Sequence, residues 1–537
     1  MKVFVYDTTL RDGAQQEGIN LSVADKLAML PQIEAMGADY IEGGWPGAIP
    51  RDTEFFNALK NSNPLERATL TAFGATTKAG VPASEDAQVA ALLDSGAPVI
   101  CLVAKSDIRH VEQALRTTGE ENLRMVRDTV AFLREQGREV MVDLEHFFDG
   151  FIADPAYTAS VAAEALTAGA SWVVLCDTNG GTLPTSITRI IGDLTARLEG
   201  HGVVDPALGI HTHDDAGCAV ANTIAAVDAG CRQIQGTING YGERTGNANL
   251  LTAVANLALK TDYETVEPEQ LADFTSVSHA IAELTNMAPQ MRQPYVGNSS
   301  FAHKAGLHAS AIRVDPNLYQ HIDPERVGNG MRMLVSDMAG RSSVELKARE
   351  FDIDLSNRKE ELGEITRRVK EAEAQGYTYD AADASFELLV REVLDGKRIA
   401  FFDVEQWSTD ITSMPGDIGA TVSEARVKLH AGGQRLMRMG EGVGPVHALD
   451  EALRAALTPV YEDLESMALT DFKVRILDSA KGTRAVTRVM ITMQDSDGTW
   501  TTVGIGDDVI EASWEALTDG YVYGLLRSGE TPVPASA

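Results

Sequence analysis

From residue 1 to about 260, eight short apolar runs alternate with longer amphipathic patterns, and this alternation limits the fold of the 537-residue chain more than any other feature. The runs fall near 3–6, 39–42, 69–73, 98–103, 139–143, 172–176, 208–212 and 232–237. Helical patterns lie between them at 23–36, 84–95, 120–136, 155–168, 184–199, 216–229 and 247–260. Ser22 stands where an N-cap would open the first helix, whose Leu27, Leu30 and Ile33 share a face. Eight strands with alternating helices fit a closed (β/α)8 barrel of the α/β class better than an open doubly wound sheet, which usually stops at about five or six.

In such a barrel the chemistry gathers on loops at the C-terminal ends of the strands. Six of the eight predicted ends carry unusual polar groups: Asp7-Thr-Thr-Leu-Arg11-Asp12-Gly13, Glu42-Gly-Gly, Glu145-His146, Asp177-Thr178-Asn-Gly-Gly, His211-Thr-His213-Asp-Asp and Asn239 through Asn247. Arg11 beside Asp12 suits a metal site with an anion stabiliser, or a salt-bridged surface turn. His211 and His213, two apart on a strand, project from one face as two imidazoles of a metal site would. Paired histidines at a strand end also serve as ordinary hydrogen-bonded groups, so that reading stays open. One carboxylate (Asp12), two imidazoles and the amide oxygen of Asn247 leave room on six-coordinate Mg2+ or Mn2+ for a bidentate substrate. Zn2+ is less suited.

Lys and Arg number 46 against 78 Asp and Glu, a formal charge of −32, which argues against nucleic-acid or anionic-membrane partners. No run of 18 apolar residues and no signal-peptide pattern appears, so the chain reads as cytoplasmic. The four cysteines, 101, 176, 218 and 231, lack C-x-x-C spacing and read as buried free thiols.

Residues 263–396 change character: helical patterns at 268–285, 342–352, 357–374 and 382–394 flank a Pro/Gly-rich 286–300 and a polar loop with His303, His308 and Tyr319. They read as a helical connector after a barrel over 1–262. In 397–537, Gly440-x-Gly442 and Glu451-Ala-Leu453 recur 64 residues later as Gly504-x-Gly506 and Glu515-Ala-Leu517. Two strand-strand-helix copies would form a pseudo-symmetric α/β domain for ligand sensing or dimerisation, and the chain is expected to be a homodimer.

Together, Asp7-Thr-Thr-Leu-Arg-Asp-Gly13, His211-Thr-His-Asp-Asp215 and Gly242-Glu-Arg-Thr-Gly-Asn247 resemble the acyl-CoA Claisen condensation enzymes: the isopropylmalate, homocitrate and citramalate synthases and hydroxymethylglutaryl-CoA lyase. Tyr40-Ile-Glu-Gly-Gly-Trp-Pro-Gly47, Gly236–Arg244 and Phe301-x-His-Lys-x-Gly-Leu-His308 are most similar to the long citramalate synthases, and the C-terminal segment resembles the leucine- or isoleucine-binding regulatory domain of the synthases. The resemblance implies a regulated TIM-barrel acyltransferase that joins acetyl-CoA to pyruvate, with isoleucine as feedback effector. It implies Asp12, His211, His213 and Asn247 as ligands of a divalent metal, Arg11 facing the keto oxygen, and Thr178 and Glu145 contacting the keto acid. His308 falls on the histidine associated with proton transfer from acetyl-CoA, but Ser310 replaces an acidic residue that some relatives carry two places later. Tyr319 and Glu145 are therefore the other candidate bases. Isopropylmalate or homocitrate synthesis, a lyase, and a non-catalytic metabolite-binding barrel are the competing readings.

Overall fold

The computed structural model describes residues 1–532 save 61–62, 337, 414–420, 462, 463, 465 and 478–484. Eight parallel strands close a barrel: β1 (Phe4–Asp7), β2 (Tyr40–Gly44), β3 (Thr69–Ala75), β4 (Val99–Lys105), β5 (Glu139–Glu145), β6 (Trp172–Asp177), β7 (Leu208–Thr212) and β8 (Gln233–Gly236). β1 pairs with β8 as well as with β2, so the sheet has no free edge. The two faces of the strands do different work. Val5, Ile100, Val142, Leu175, Ile210 and Ile234 are buried against surrounding helices, with Ile187, Leu194 and Leu251 among their neighbours. Each such side chain contributes roughly 1.5–3 kcal/mol by leaving water. The alternate residues fill the lumen: Tyr6, Phe73, Val99, Cys101 and Met141 form a separate apolar cluster. Among buried polar strand residues are Glu42, Asp143, Gln233 and Gln235.

Every predicted strand is present, and the first helix, Val23–Ala35, opens at Ser22 with a reciprocal capping box to Asp25. The helices Pro50–Leu59, Ile108–Gln113 and Phe147–Ala153 were not anticipated from the sequence. The last two span fewer than two full turns, too short for an apolar repeat to register. All four cysteines are free; three are buried, whereas Cys218, expected to be buried, is half-exposed where the helix Ala219–Asp228 begins.

The chain forms two compact units, Met1–Phe301 with Ile322–Gly330, and Ala302–His321 with the chain from Met331 onward. In the second, the helices Arg341–Arg349, Lys359–Gln375 and Asp383–Asp395 share a core of Val344, Ile365, Val369 and Phe386. Two antiparallel three-stranded sheets follow: β9 (Phe402–Ser413), β10 (Thr421–Ala431) and β11 (Gln434–Gly442), then β12 (Ala468–Ile476), β13 (Thr487–Asp495) and β14 (Gly498–Gly506). The helices Pro445–Leu457 and Val509–Arg527 succeed them.

Each copy of the repeat is therefore three strands and a helix, correcting the strand-strand-helix expectation. Polar and charged residues dilute the apolar alternation of β9 and β12 and hide these strands. The recurring glycines sit where each helix crosses its sheet. A β-carbon on Gly440 would meet Ala452 N at 2.4 Å and Ala448 O at 2.6 Å; one on Gly504 would meet Ala512 O at 2.1 Å and Ala516 N at 2.8 Å. Backbone cannot yield as a side chain can, so Gly504→Ala should destabilise the second unit by about 1–3 kcal/mol. Gly444→Ala, whose β-carbon meets nothing within 4 Å, should stay within about 0.5 kcal/mol of wild type when both variants are unfolded in urea.

Candidate active site

Strand order brings the polar ends of β1, β2, β5, β6 and β7 to one cavity of about 600 Å3, lined by Arg11, Asp12, Glu145, Thr178, His211 and His213 together with Trp45, Phe73, Lys105, Asp143 and Arg244. Arg11 is fixed first. Its Nε donates to Glu42 Oε1, and its guanidinium lies 3.9 Å from the Phe73 ring centroid. Glu42 is fully buried and also accepts from Tyr6 Oη at 2.5 Å and Thr8 Oγ1 at 2.7 Å. Registry shifts between Glu42 and Gly44 where β2 pairs with β3, a bulge at the strand end.

Asp12 Oδ2 lies 3.4 Å from Arg11, 3.3 Å from His211 Nε2 and 4.0 Å from His213 Nε2. The two Nε2 atoms are 3.3 Å apart. Burial would raise the Asp12 pKa, but Arg11 and His211 outweigh it and hold the carboxylate well below its usual range. Burial and His211 push His213 down to about 4, leaving it neutral at ordinary pH. Burial opposes a proton on His211, yet the Asp12 carboxylate outweighs burial and raises its pKa.

The orientation of His211 is set from behind. Gln235 Nε2 donates to Asp143 Oδ1 at 3.0 Å, which turns Gln235 Oε1 toward His211 Nδ1 at 2.9 Å. With Nδ1 donating to Gln235, Nε2 is the ring nitrogen that faces Asp12, and it is there that a metal would take the place of a proton. Asn247 is backbone-paired with His213 and donates from Nδ2 to Tyr241 O at 3.1 Å, while its buried Oδ1 has no partner among the described residues. Asp12, His211 and His213 offer ligand atoms within 4.8 Å of one another, one of them an ionised carboxylate, and fit a divalent cation.

Thr178 Oγ1 accepts from the His146 backbone N at 2.8 Å, which leaves its hydroxyl proton for another partner. Glu145 is ion-paired with Lys105. Asn247 is held beside His213 by backbone pairing but does not line the cavity; His308 and Tyr319 belong to the second unit, where their rings stack with centroids 4.0 Å apart.

Residues 2–281 match the HMGL-like family model, 295–377 the homocitrate synthase post-HMGL domain-like model, and 380–525 the LeuA allosteric (dimerisation) domain. The chain is 57% identical to an (R)-citramalate synthase of Streptomyces coelicolor over 528 residues, covering 98% of this chain and 97% of that protein. The chain belongs to the citramalate synthase family. It is also 46% identical to an (R)-citramalate synthase of Synechocystis, over 97% of this chain and 96% of that one, and 45% identical to one of Aquifex aeolicus, over 98% and 99%.

Sequence reading named the strand ends but missed what holds the groups in place. Glu42 stood in a quoted motif without a role, and Asp143 and Gln235 lay inside apolar runs with no signal beyond being polar there. Arg244, also in a quoted motif, donates to Thr178 O at 2.8 Å and pairs with Asp215 at 2.7 Å. His146, Asn239 and Arg244 all adopt positive φ (58°, 62° and 57°), a concentration of backbone strain at the strand ends. Glu42→Ala would leave the Arg11 guanidinium, only 11% exposed, without its main counter-charge. Urea unfolding should show a loss of about 3–5 kcal/mol; a loss below about 1 kcal/mol would remove the pair from its anchoring role.

Proposed function

We infer that the chain is an acyltransferase that condenses acetyl-CoA with pyruvate to give citramalate and CoA. The carrying observation is near-full-length identity to (R)-citramalate synthases in a chain whose Arg11 and Asp12–His211–His213 cluster line one cavity. We assign Asp12, His211, His213 and Asn247 to a divalent metal, Mg2+ or Mn2+ before Zn2+ because the set is rich in oxygen and imidazole and has no thiolate. Such an ion supplies Lewis-acid polarisation of a carbonyl.

The chain's own groups do the rest. Arg11, held by Glu42 and packed on Phe73, presents fixed positive charge to the oxygen that becomes an alkoxide when the acetyl enolate adds to the keto carbon. Thr178, its acceptor capacity engaged by His146, donates its hydroxyl to the keto-acid carboxylate. Glu145, His308 and Tyr319 are the side chains assigned to removal of the acetyl methyl proton. The new thioester is then hydrolysed: water adds to its carbonyl, the C–S bond breaks and CoA thiol leaves.

With this activity goes a division of labour: a catalytic barrel over 1–262, a helical connector over 263–396 and a regulatory, dimer-forming domain over 397–537, supported by the match to the LeuA allosteric (dimerisation) domain. The effector is isoleucine, end product of a threonine-independent route, and the enzyme works in the cytoplasm as a homodimer. Among the described residues no helix is long and apolar enough to cross a membrane.

A keto-acid panel with acetyl-CoA, followed by release of free thiol, tests the reaction. Pyruvate should be preferred over 2-oxoisovalerate and 2-oxoglutarate; Arg11→Lys should lose about 10²–10³-fold in kcat, and Asp12→Ala should lose both turnover and Mn2+ binding with unchanged circular dichroism. Preference for either larger acid would assign the chain to a different synthase reaction. Isoleucine should bind the intact enzyme in calorimetry and inhibit it, and effector control requires unequal affinity for the more and less active states. Silence of isoleucine at millimolar concentration, with leucine also silent, would leave the C-terminal domain only its dimerising role.

A further inference from the structure

Within the second unit a cavity of about 540 Å3 runs against the prevailing charge of the molecule. It is lined by Lys304, Lys370, Arg475 and Arg488 against two carboxylates, Glu373 and Asp380, with Tyr377 and Met490 as less polar walls. Four cations to two anions is a local excess of positive charge in a chain whose formal charge is −32. The excess is built into regular structure: Arg475 on β12 is the direct antiparallel partner of Arg488 on β13. Like charges directly opposite each other across a strand pair destabilise it.

Asp380 and Glu373 offset this pair only in part. Arg488 donates from Nε to Gly376 O at 2.5 Å and from a terminal nitrogen to Tyr377 O at 3.4 Å, so its hydrogen bonds go to carbonyls and orient the guanidinium without neutralising it. Burial and Arg475 together lower the Arg488 pKa, as two cations in conflict require. Asp380 is already engaged by Lys304 Nζ at 2.8 Å and by Thr378 Oγ1. Among the described residues neither Arg475 nor Lys370 has an ion-pair partner, and both side chains are exposed. Capping the helix Lys359–Gln375 at its C-terminus would account for Arg488 but does not involve Arg475 or Lys370, which are exposed at the mouth of the cavity.

We propose that this cavity binds a small anion bearing a phosphate or pyrophosphate group, gripped by the Arg475–Arg488 pair and assisted by Lys370 and Lys304. Two guanidiniums provide forked donors that match phosphate oxygens, and two ammonium groups add point charges. Lys304 lies four residues before His308, so an occupant that draws on Lys304 competes with Asp380 for the segment leading to that histidine.

The test uses the full chain in metal-free buffer, with inorganic pyrophosphate and ADP as probes. Pyrophosphate should saturate one site per chain in calorimetry and raise the melting temperature, and Arg475→Glu should weaken binding by about tenfold or more. ADP binding more tightly than pyrophosphate would assign the site to a nucleotide, and equal affinity to the pyrophosphate group alone. In the absence of either probe Arg475→Thr should raise the melting temperature by relieving the like-charge contact. Three results would overturn the proposal: no saturable binding of pyrophosphate at millimolar concentration, unchanged binding in Arg475→Glu, or a lower melting temperature for probe-free Arg475→Thr, which would make the arginine a structural tie.

Discussion

The buried ion pair between Arg11 and Glu42 is the interaction on which the barrel's cavity depends. Bringing two charges out of water costs several kcal/mol per ion, and the pair is sustainable only if its remaining hydrogen-bond capacity is met. Here Tyr6 and Thr8 supply donors to the carboxylate and the Phe73 ring covers the guanidinium. Those partners come from three strands or their ends, so the pair can form only once β1, β2 and β3 are in register. Assembly of these three strands and the placing of a fixed positive charge at the cavity wall are thus one event.

That charge sets the state of the groups around it. Arg11 keeps Asp12 ionised despite burial, and Asp12 in turn acts on His211, whose nearness adds to burial in keeping His213 neutral. An ionised carboxylate beside an imidazole whose ring is already oriented is a ligand set formed without rearrangement. The relay from Asp143 through Gln235 to His211 matters for the same reason: it spends a polar strand interior on aiming one nitrogen. Asp143 itself is pushed up to about 6 by burial and by Glu42, showing how crowded with acid the lumen beneath the cavity is.

In the second unit the constraint is geometric. Two copies of a three-stranded sheet each receive a helix so closely that the crossing point admits only glycine. Equivalent positions have nonetheless taken different surroundings. Glu451 makes a loose, exposed contact with His447 at 3.6 Å, whereas Glu515, its counterpart, accepts from Tyr377 Oη at 2.6 Å and from Ile505 N at 2.8 Å. The second copy is therefore tied to the segment that follows the helix Lys359–Gln375, and the symmetry of the pair stops at the backbone.

Local pattern alone determined the eight strands, most of the flanking helices and the polar strand ends, because apolar periodicity and turn residues are properties of neighbouring positions. The spacing of His211 and His213 and the adjacency of Arg11 and Asp12 were legible for the same reason. The tertiary structure decided which of these ends share a cavity and which buried polar residues orient them. Glu42 is 31 residues from Arg11, and Gln235 is 24 from His211 and 92 from Asp143, so their meeting follows from strand order and closure, which no local pattern encodes. The opposition of Arg475 and Arg488 has the same origin: each is an unremarkable surface arginine in the sequence, and only the antiparallel register makes them neighbours.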